Sequence, residues 1–381
     1  MTTVPIPDIR IPAQLLPGDG RFGCGPSKVR PEAVEALAAT GTAYLGTSHR
    51  QPTVKGVVAR LRTGLARLFG LPDGYEVALG NGGTTCFWDV ATFGLIEQQS
   101  QHLVFGEFSS KFAAAAGAAP HLRDPDVIES APGTHPVAEV RPGVDLYALT
   151  HNETSTGVCM EIRRPDGADA GALVAVDATS AAGGLRVDPG QFDVYYFAPQ
   201  KCFASEGGLW VALLSPAAVE RVGRLRPGGA AGRWAPPSLD LAIALENSRL
   251  DQTYNTPALA TLFLFVDQLE WMLKNGGLAW AAARSERSAG ILYGWAESSK
   301  WARPFVADPD ERSPVVGTID FDESVPAQAL SGVLRANGIV DTESYRKLGR
   351  NQLRIGMFPA VEPADVEALT ACIDYVVPRL D

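Results

Sequence analysis

The chain has 381 residues, 46% of them hydrophobic and 20% charged, and a formal net charge of −10. That length exceeds one ordinary core, so two domains are expected, and burial of roughly three quarters of the unfolded surface makes a disulfide or metal staple unnecessary. The negative charge argues against non-specific nucleic-acid or anionic-membrane binding, and five scattered cysteines without a CxxC pair read as reduced thiols in a cytoplasm, with no metal site.

Met1–Asp19 is Pro-rich and reads as an N-terminal arm, because it lacks the basic start and apolar stretch of a signal peptide. Beyond it helix-like and strand-like segments alternate. Pro31–Ala39 begins with proline at a plausible first helical position. Val54, Val57, Val58, Leu61, Leu65 and Leu68 recur at helical spacing and are closed by Gly70. Then come Glu76–Leu79 (strand), Thr84–Leu95 (helix), His102–Phe105 (strand) and Ser109–Ala119 (helix). Further strands are expected at Leu146–Leu149, Leu173–Val176, Val194–Phe197 and Leu209–Leu213. Short apolar strands between helices predict an α/β fold with a mostly parallel sheet and helices on both faces. Two long helices, Pro257–Asn275 and Leu278–Ser298, follow; the most apolar stretch among them is broken by Asp267 and Glu270 and is too short to span a bilayer. Val315–Phe321, Ala327–Ala336, Leu353–Phe358 and Ala364–Val377 read as a smaller α/β unit. The expected division is an arm over 1–19, a large domain over 20–265 and a small domain over 266–381.

Ligands of such sheets bind outside the carboxyl ends of the strands, and the polar motifs fall there. Gly80–Asn81–Gly82–Gly83–Thr84–Thr85 follows a strand and opens a helix, either as a tight turn or as a phosphate cradle of backbone amides and hydroxyls. It lacks the Gly-Lys-Ser/Thr ending of a P-loop. Phe108 is either a core aromatic or a ring free to stack on a flat ligand. His151–Gly157 is a capped turn or a hydrogen-bonding rim. Val174–Ala175–Val176 delivers Asp177, and the aromatic run Val194–Phe197 leads to Lys201. Each charge alone fits a solvated loop; together they are what a pyridoxal-phosphate site needs. A lysine bonds the cofactor aldehyde, and a carboxylate keeps the pyridine nitrogen protonated. His49 and Arg50 are surface residues or an anion grip, and Asn255–Thr256–Pro257 has the order of a cap for the next helix. Between Asp341 and Arg354 four bases face two acids, a solvated loop or a site for an anionic small molecule.

The ordered set Ser48–His49–Arg50, Gly82–Gly83–Thr84, Asn152–Gly157, Val176–Ser180, Gln200–Lys201 and Asn255–Thr256–Pro257 resembles the phosphoserine aminotransferases, in their actinobacterial form. These are a branch of the fold-type I enzymes that use pyridoxal 5′-phosphate. The likeness runs from Phe22 to Phe358 and implies a seven-stranded, mostly parallel sheet in the large domain. It implies that Lys201 bonds the cofactor and Asp177 pairs with its ring nitrogen, as the catalytic pair. Phe108 would stack on the ring, Thr154 would lie near the phenolic oxygen, and Thr84, Thr85 and Gln200 would hold the phosphate. Asn255 and Thr256 would reach that phosphate from the neighbouring subunit of a homodimer. Arg354 would bind the substrate α-carboxylate, with His49, Arg50 and Arg346 near its distal anion. Family members often carry an arginine where this chain has Thr84–Thr85, a tryptophan where it has Phe108, and a His-Arg pair in the 341–354 stretch, where Arg346, Lys347 and Arg350 stand as alternatives.

The resemblance implies ping-pong transfer of an amino group from L-glutamate to 3-phosphohydroxypyruvate, giving O-phospho-L-serine and 2-oxoglutarate. A related phosphorylated acid on the route to vitamin B6 is an implied second substrate. The rivals are an alanine–glyoxylate aminotransferase, a cysteine desulfurase, and a non-catalytic effector-binding domain that kept the fold. A desulfurase needs a nucleophilic cysteine on a late loop, whereas the only late cysteine, Cys372, reads as core of the Val366–Val377 helix.

Overall fold

In a computed structural model that describes residues 6–380, the apolar runs form one large sheet. Along the chain the first half comprises α1 (Pro31–Ala39), α2 (Pro52–Phe69), β1 (Glu76–Asn81), α3 (Gly83–Gly94), β2 (Ser100–Val104), α4 (Glu107–Ala118), β3 (Asp126–Glu129) and β4 (Leu146–Thr150). The hairpin β5 (Asn152–Glu153) and β6 (Val158–Cys159) precedes β7 (Leu173–Asp177), β8 (Val194–Phe197), β9 (Leu209–Leu214), α5 (Pro216–Leu225) and α6 (Leu241–Arg249). The remainder is α7 (Leu259–Lys274), α8 (Gly277–Ser298), β10 (Ala302–Pro304), β11 (Val316–Phe321), α9 (Ala327–Ala336), β12 (Gln352–Gly356) and α10 (Pro363–Val376).

The seven strands lie in the order β1-β9-β8-β7-β4-β2-β3. Only β9 is reversed, since it pairs antiparallel with both β1 and β8 while the other pairs are parallel. Every residue of β7, β8 and β9 is buried, as expected of strands covered on both faces. Their alternating side chains supply two cores. Val174, Val176, Tyr195 and Phe197 face α2 and α7, whereas Leu173, Ala175, Val194 and Tyr196 face α3 and α6. The seventh strand, β3, lacks an apolar run because it is an edge strand with half its residues exposed.

A second, antiparallel sheet β10-β11-β12 packs on α8, α9 and α10. The expected boundary at 265/266 is corrected here, because it falls inside α7. Leu262, Phe265, Val266, Leu269 and Met272 of that helix all join the large core, so cutting there would split one apolar face. The change of core comes along α8, whose Ala281 packs in the large core while Leu292, Tyr293 and Ala296 pack in the small one. The expected arm is also not separate along its described part. Ile11 is buried in the small core with Phe22, and Asn337 Oδ1 accepts from the Ile11 amide at 3.0 Å. Residues 1–5 of that arm lie outside the described residues.

Phe265 packs tilted against Phe203 at 4.7 Å between ring centres, and Phe203 in turn stacks at 5.2 Å on Phe197 at the end of β8. This aromatic group floors the loop that carries Lys201. Phe265→Ala should cost about 3–5 kcal/mol of stability, read as a lowered denaturant midpoint of the large-core transition.

Candidate active site

Register brings three strand ends level. Thr150 of β4 pairs with Asp177 of β7, and Asp177 pairs with Tyr196 of β8. The chain therefore leaves the sheet at one edge as His151–Thr156, as Ala178–Ser180 and as the loop with Lys201. β1 ends at the same edge, with Asn81 opposite Leu209. Gly82 and Gly83 then take φ of 115° and 75°, left-handed values that glycine adopts without strain, and turn the chain into α3. A cavity of about 400 Å³ opens here, lined by Thr84, Thr85, Phe108, Thr154, Asp177, Gln200 and Lys201 among others.

Asp177 is 6% exposed. Its Oδ1 accepts from the Thr179 amide at 2.9 Å and hydroxyl at 2.6 Å, and Oδ2 accepts from Trp88 Nε1 at 3.2 Å. Burial pushes its pKa up, against these hydrogen bonds, because a desolvated carboxylate disfavours its charged form unless a cation joins it. Lys201 is 7% exposed, and its ammonium donates to the Cys24 carbonyl. Burial lowers its pKa to about 8, with Arg354 adding to the effect and the Cys24 thiol opposing it. The Phe22–Ser27 segment clamps this loop, since Ser27 donates through its amide to Gln200 O at 2.8 Å and through its hydroxyl to Lys201 O at 2.5 Å. Gly25 is the close approach in that clamp: a Cβ there would lie 2.1 Å from Lys201 Nζ.

Arg354, on β12, reaches across from the small sheet. Its Nη1 donates to Thr154 O at 3.2 Å, its guanidinium lies 5.2 Å from the centre of the Tyr345 ring, and its buried Nε has no partner. Among the described residues it has no carboxylate partner. In the basic stretch Lys347 pairs with Glu107 at 2.5 Å and Arg350 pairs with Asp320. Asp341 and Glu343 are both taken by Arg335. Arg346 is exposed and makes no ion pair among the described residues.

The remaining motif residues gather elsewhere. His49 Nδ1 lies 3.2 Å from Thr256 Oγ1, Arg50 donates to Gln252 Oε1 at 2.8 Å, and Asn81 Nδ2 contacts the carbonyls of Asn255 and Thr256 at 3.2 Å. His49, Arg50, Asn255 and Thr256 thus form one surface group that does not line this chain's own cavity. The expectation that Asn255 and Thr256 cap the next helix is overturned. α7 starts at Leu259 with Ala258 at its N-cap, and Asn255 Oδ1 accepts from the Thr256 amide instead. His151, expected in a capped turn or a hydrogen-bonding rim, is buried against Tyr195 at 3.0 Å, and burial lowers its pKa to about 3.

The cavity suits pyridoxal phosphate. Asn152 Oδ1 and Gln200 Oε1 are buried without partners, and such groups cost about 1–3 kcal/mol each until a ligand or water meets them. No side chain caps α3, so the first amides beside Thr84 and Thr85 are open to an anion. Trp88 was not singled out from sequence, although its place one turn into α3 aims a donor-only indole at Asp177. Gly25 and Glu153 were also missed, because their roles rest on contacts distant in the chain.

A family model described as aminotransferase class-V matches residues 22–368. The phosphoserine aminotransferase of Nocardioides sp. is 60% identical over 373 residues, 98% of this chain and 99% of that one. That of Rhodococcus jostii is 59% identical over 380 residues, covering 100% of both. The crystal structure of a phosphoserine aminotransferase from Cytophaga hutchinsonii superposes with a TM-score of 0.84 at 26% identity, covering 94% of this chain and 99% of that one.

Only a neutral amine attacks an aldehyde. With the Lys201 pKa at about 8, covalent capture of pyridoxal phosphate by cofactor-free protein should rise about tenfold per pH unit below that value and level off above it. Stopped-flow absorbance checks this; a rate independent of pH through that range would mean the amine is already neutral.

Proposed function

Because the chain belongs to the class-V aminotransferase family, we propose that it is a phosphoserine aminotransferase, which moves an amino group between L-glutamate and 3-phosphohydroxypyruvate with pyridoxal phosphate as cofactor. The observation that carries this reading is the charge balance of the basic stretch, whose Arg354 reaches the cavity-lining Thr154. Two arginines of the basic stretch, Arg354 and Arg346, lack a carboxylate partner among the described residues, while Lys347 and Arg350 are neutralised by Glu107 and Asp320. A substrate with an anion at each end needs two such cations, because a protein of net charge −10 offers it no long-range attraction.

Lys201 and Asp177 would anchor the cofactor, Thr84, Thr85 and Gln200 its phosphate, Phe108 its ring face, and Thr154 its phenolic oxygen. Bound there, pyridoxal phosphate supplies an aldehyde that takes up the amino group and a ring that delocalises the electrons left at the substrate α-carbon. Among the described residues Lys201 Nζ is the one base that lines the cavity, with its pKa lowered to about 8, and it would take the α-carbon proton and return it. Asp177 holds the proton on the ring nitrogen. Arg354 orients the α-carboxylate from the small sheet, and Arg346 faces the distal phosphate.

His49, Arg50, Asn255 and Thr256 would serve the site of a second copy of this chain. They stand together outside their own cavity, beside Leu45, Leu250 and Tyr254, which are 42%, 59% and 50% exposed. That apolar rim supports a homodimer with shared sites. Among the described residues no helix is long and apolar enough to cross a membrane, and five unpaired thiols support a cytoplasmic setting. The desulfurase reading fails on Cys372, whose thiol donates to Leu15 O at 3.2 Å inside the small core and which burial pushes up to about 11, the opposite of an activated nucleophile.

The test is kcat/KM for 3-phosphohydroxypyruvate against unphosphorylated hydroxypyruvate. Arg346→Ala and Arg50→Ala should each lower that ratio roughly tenfold, the loss of one charge-assisted contact. Arg354→Ala should impair both half-reactions by about 2–5 kcal/mol. A ratio unchanged in both Arg346→Ala and Arg50→Ala would place the phosphate grip elsewhere.

A further inference from the structure

Glu153 is 0% exposed, yet every partner of its carboxylate is a neutral donor. Oε1 accepts from the Ser155 amide at 3.1 Å and hydroxyl at 2.7 Å. Oε2 accepts from the amides of Phe108 and Ser109, at 3.0 and 2.9 Å, and from the Ser109 hydroxyl at 3.0 Å. Phe108 and Ser109 are the second and third residues of α4, and the amide of the first, Glu107, donates to Ser155 Oγ at 3.0 Å. The opening amides of a helix have no partner within it. Here the N-cap position is Gly106, which has no side chain to offer. The β5–β6 hairpin therefore supplies, from about 45 residues along the chain, the acceptors that a serine or aspartate N-cap would, and its charge suits the positive end of the helix.

Gly106 is the complement of this arrangement. A Cβ on it would lie 2.4 Å from Glu153 Cγ and 2.6 Å from Ser155 Oγ, so a conventional capping residue is excluded by the group that replaces it. The result fixes Phe108, because its own amide is one of the clamped donors. Its ring centre lies 6.0 Å from Lys201 Nζ and 6.2 Å from the Tyr345 ring. On either side of Glu153 the hairpin holds other parts of the site: Asn152 donates to Ser180 Oγ at 2.8 Å, and Thr154 O accepts from Arg354.

We propose that Glu153 is a positioning residue for the cofactor: buried in place of an N-cap on α4, it sets where Phe108 presents its ring to the cleft. It touches neither cofactor nor substrate and acts through Phe108. This rests on the reading above that Phe108 stacks on pyridoxal phosphate. Replacing the carboxylate by an amide keeps its size but turns an NH2 group toward one of the two donor sets, so that end of the clamp loses its acceptor.

A double-mutant cycle on the full-length protein tests it. The apparent Kd for pyridoxal phosphate is read from its visible absorbance in the wild type, Glu153→Gln, Phe108→Ala and the double variant, together with the circular dichroism that the asymmetric site induces in the cofactor band. Glu153→Gln and Phe108→Ala should each raise Kd roughly tenfold, the factor given by about 1.4 kcal/mol of lost stacking. The double variant should be no weaker than Phe108→Ala, and Glu153→Gln should diminish the induced dichroism. Additive effects, about a hundredfold in the double variant, or an unchanged Kd in Glu153→Gln, would overturn the proposal. If Glu153→Gln does not fold, Ser155→Ala, which removes one partner of the clamp, replaces it in the same cycle with a smaller but equally non-additive effect. Normal cofactor binding and coupling without turnover of 3-phosphohydroxypyruvate would count against the proposed function alone.

Discussion

Asp177 is a carboxylate that the fold buries without a cationic hydrogen-bond partner among the described residues. Three donors converge on it, the Thr179 amide and hydroxyl and the Trp88 indole, and Thr84 stands behind them with its hydroxyl 2.8 Å from that of Thr179. All are neutral. Hydrogen bonds to neutral donors only partly offset the desolvation of a charge, so the site as the chain builds it is half of an ion pair. On the proposed function, a protonated ring nitrogen would be the missing half. The surrounding architecture, from the level ends of β4, β7 and β8 to the glycine turn into α3, serves to hold that carboxylate where a flat ring can meet it.

The two sheets cooperate because several contacts cross the cleft between them. Arg354 of β12 donates to Thr154 on the large-sheet side. Lys347 pairs with Glu107 in the first turn of α4, and Tyr345 faces Phe108. The N-terminal segment is shared as well. Phe22 is buried in the small core, and Gly25 and Ser27, three and five residues on, clamp the Lys201 loop. Anything that repositions the small sheet therefore also moves Arg354, Phe108 and Lys201. Lys347 is itself mostly exposed, and such an exposed ion pair contributes little to stability.

Much of this was legible in the sequence because central parallel strands are read from unbroken apolar runs. Val174–Val176 and Val194–Phe197 mark β7 and β8, and the first polar residues beyond them are the site. What stayed hidden depends on pairings that sequence spacing does not carry. β3 alternates at a sheet edge and has no apolar run. Trp88 and Glu153 look like an amphipathic helix residue and a turn residue until the strands bring them to Asp177 and Phe108. The Asn-Thr-Pro order at 255–257 imitates a helix cap, but the helix starts later and the polar groups are left for another use. The basic stretch could not be resolved from charge alone, since its neutralising partners, Glu107 and Asp320, lie far from it in the chain.

The central claim is that Asp177 is completed by a protonated ring nitrogen. The most direct measurement is the 15N chemical shift of ring-labelled pyridoxal phosphate bound to the wild-type protein and to Asp177→Asn. The account predicts a protonated nitrogen in the wild type at every pH at which the protein stays folded, and an unprotonated one in Asp177→Asn. A neutral nitrogen in the wild type, or a protonated one in both proteins, would contradict it.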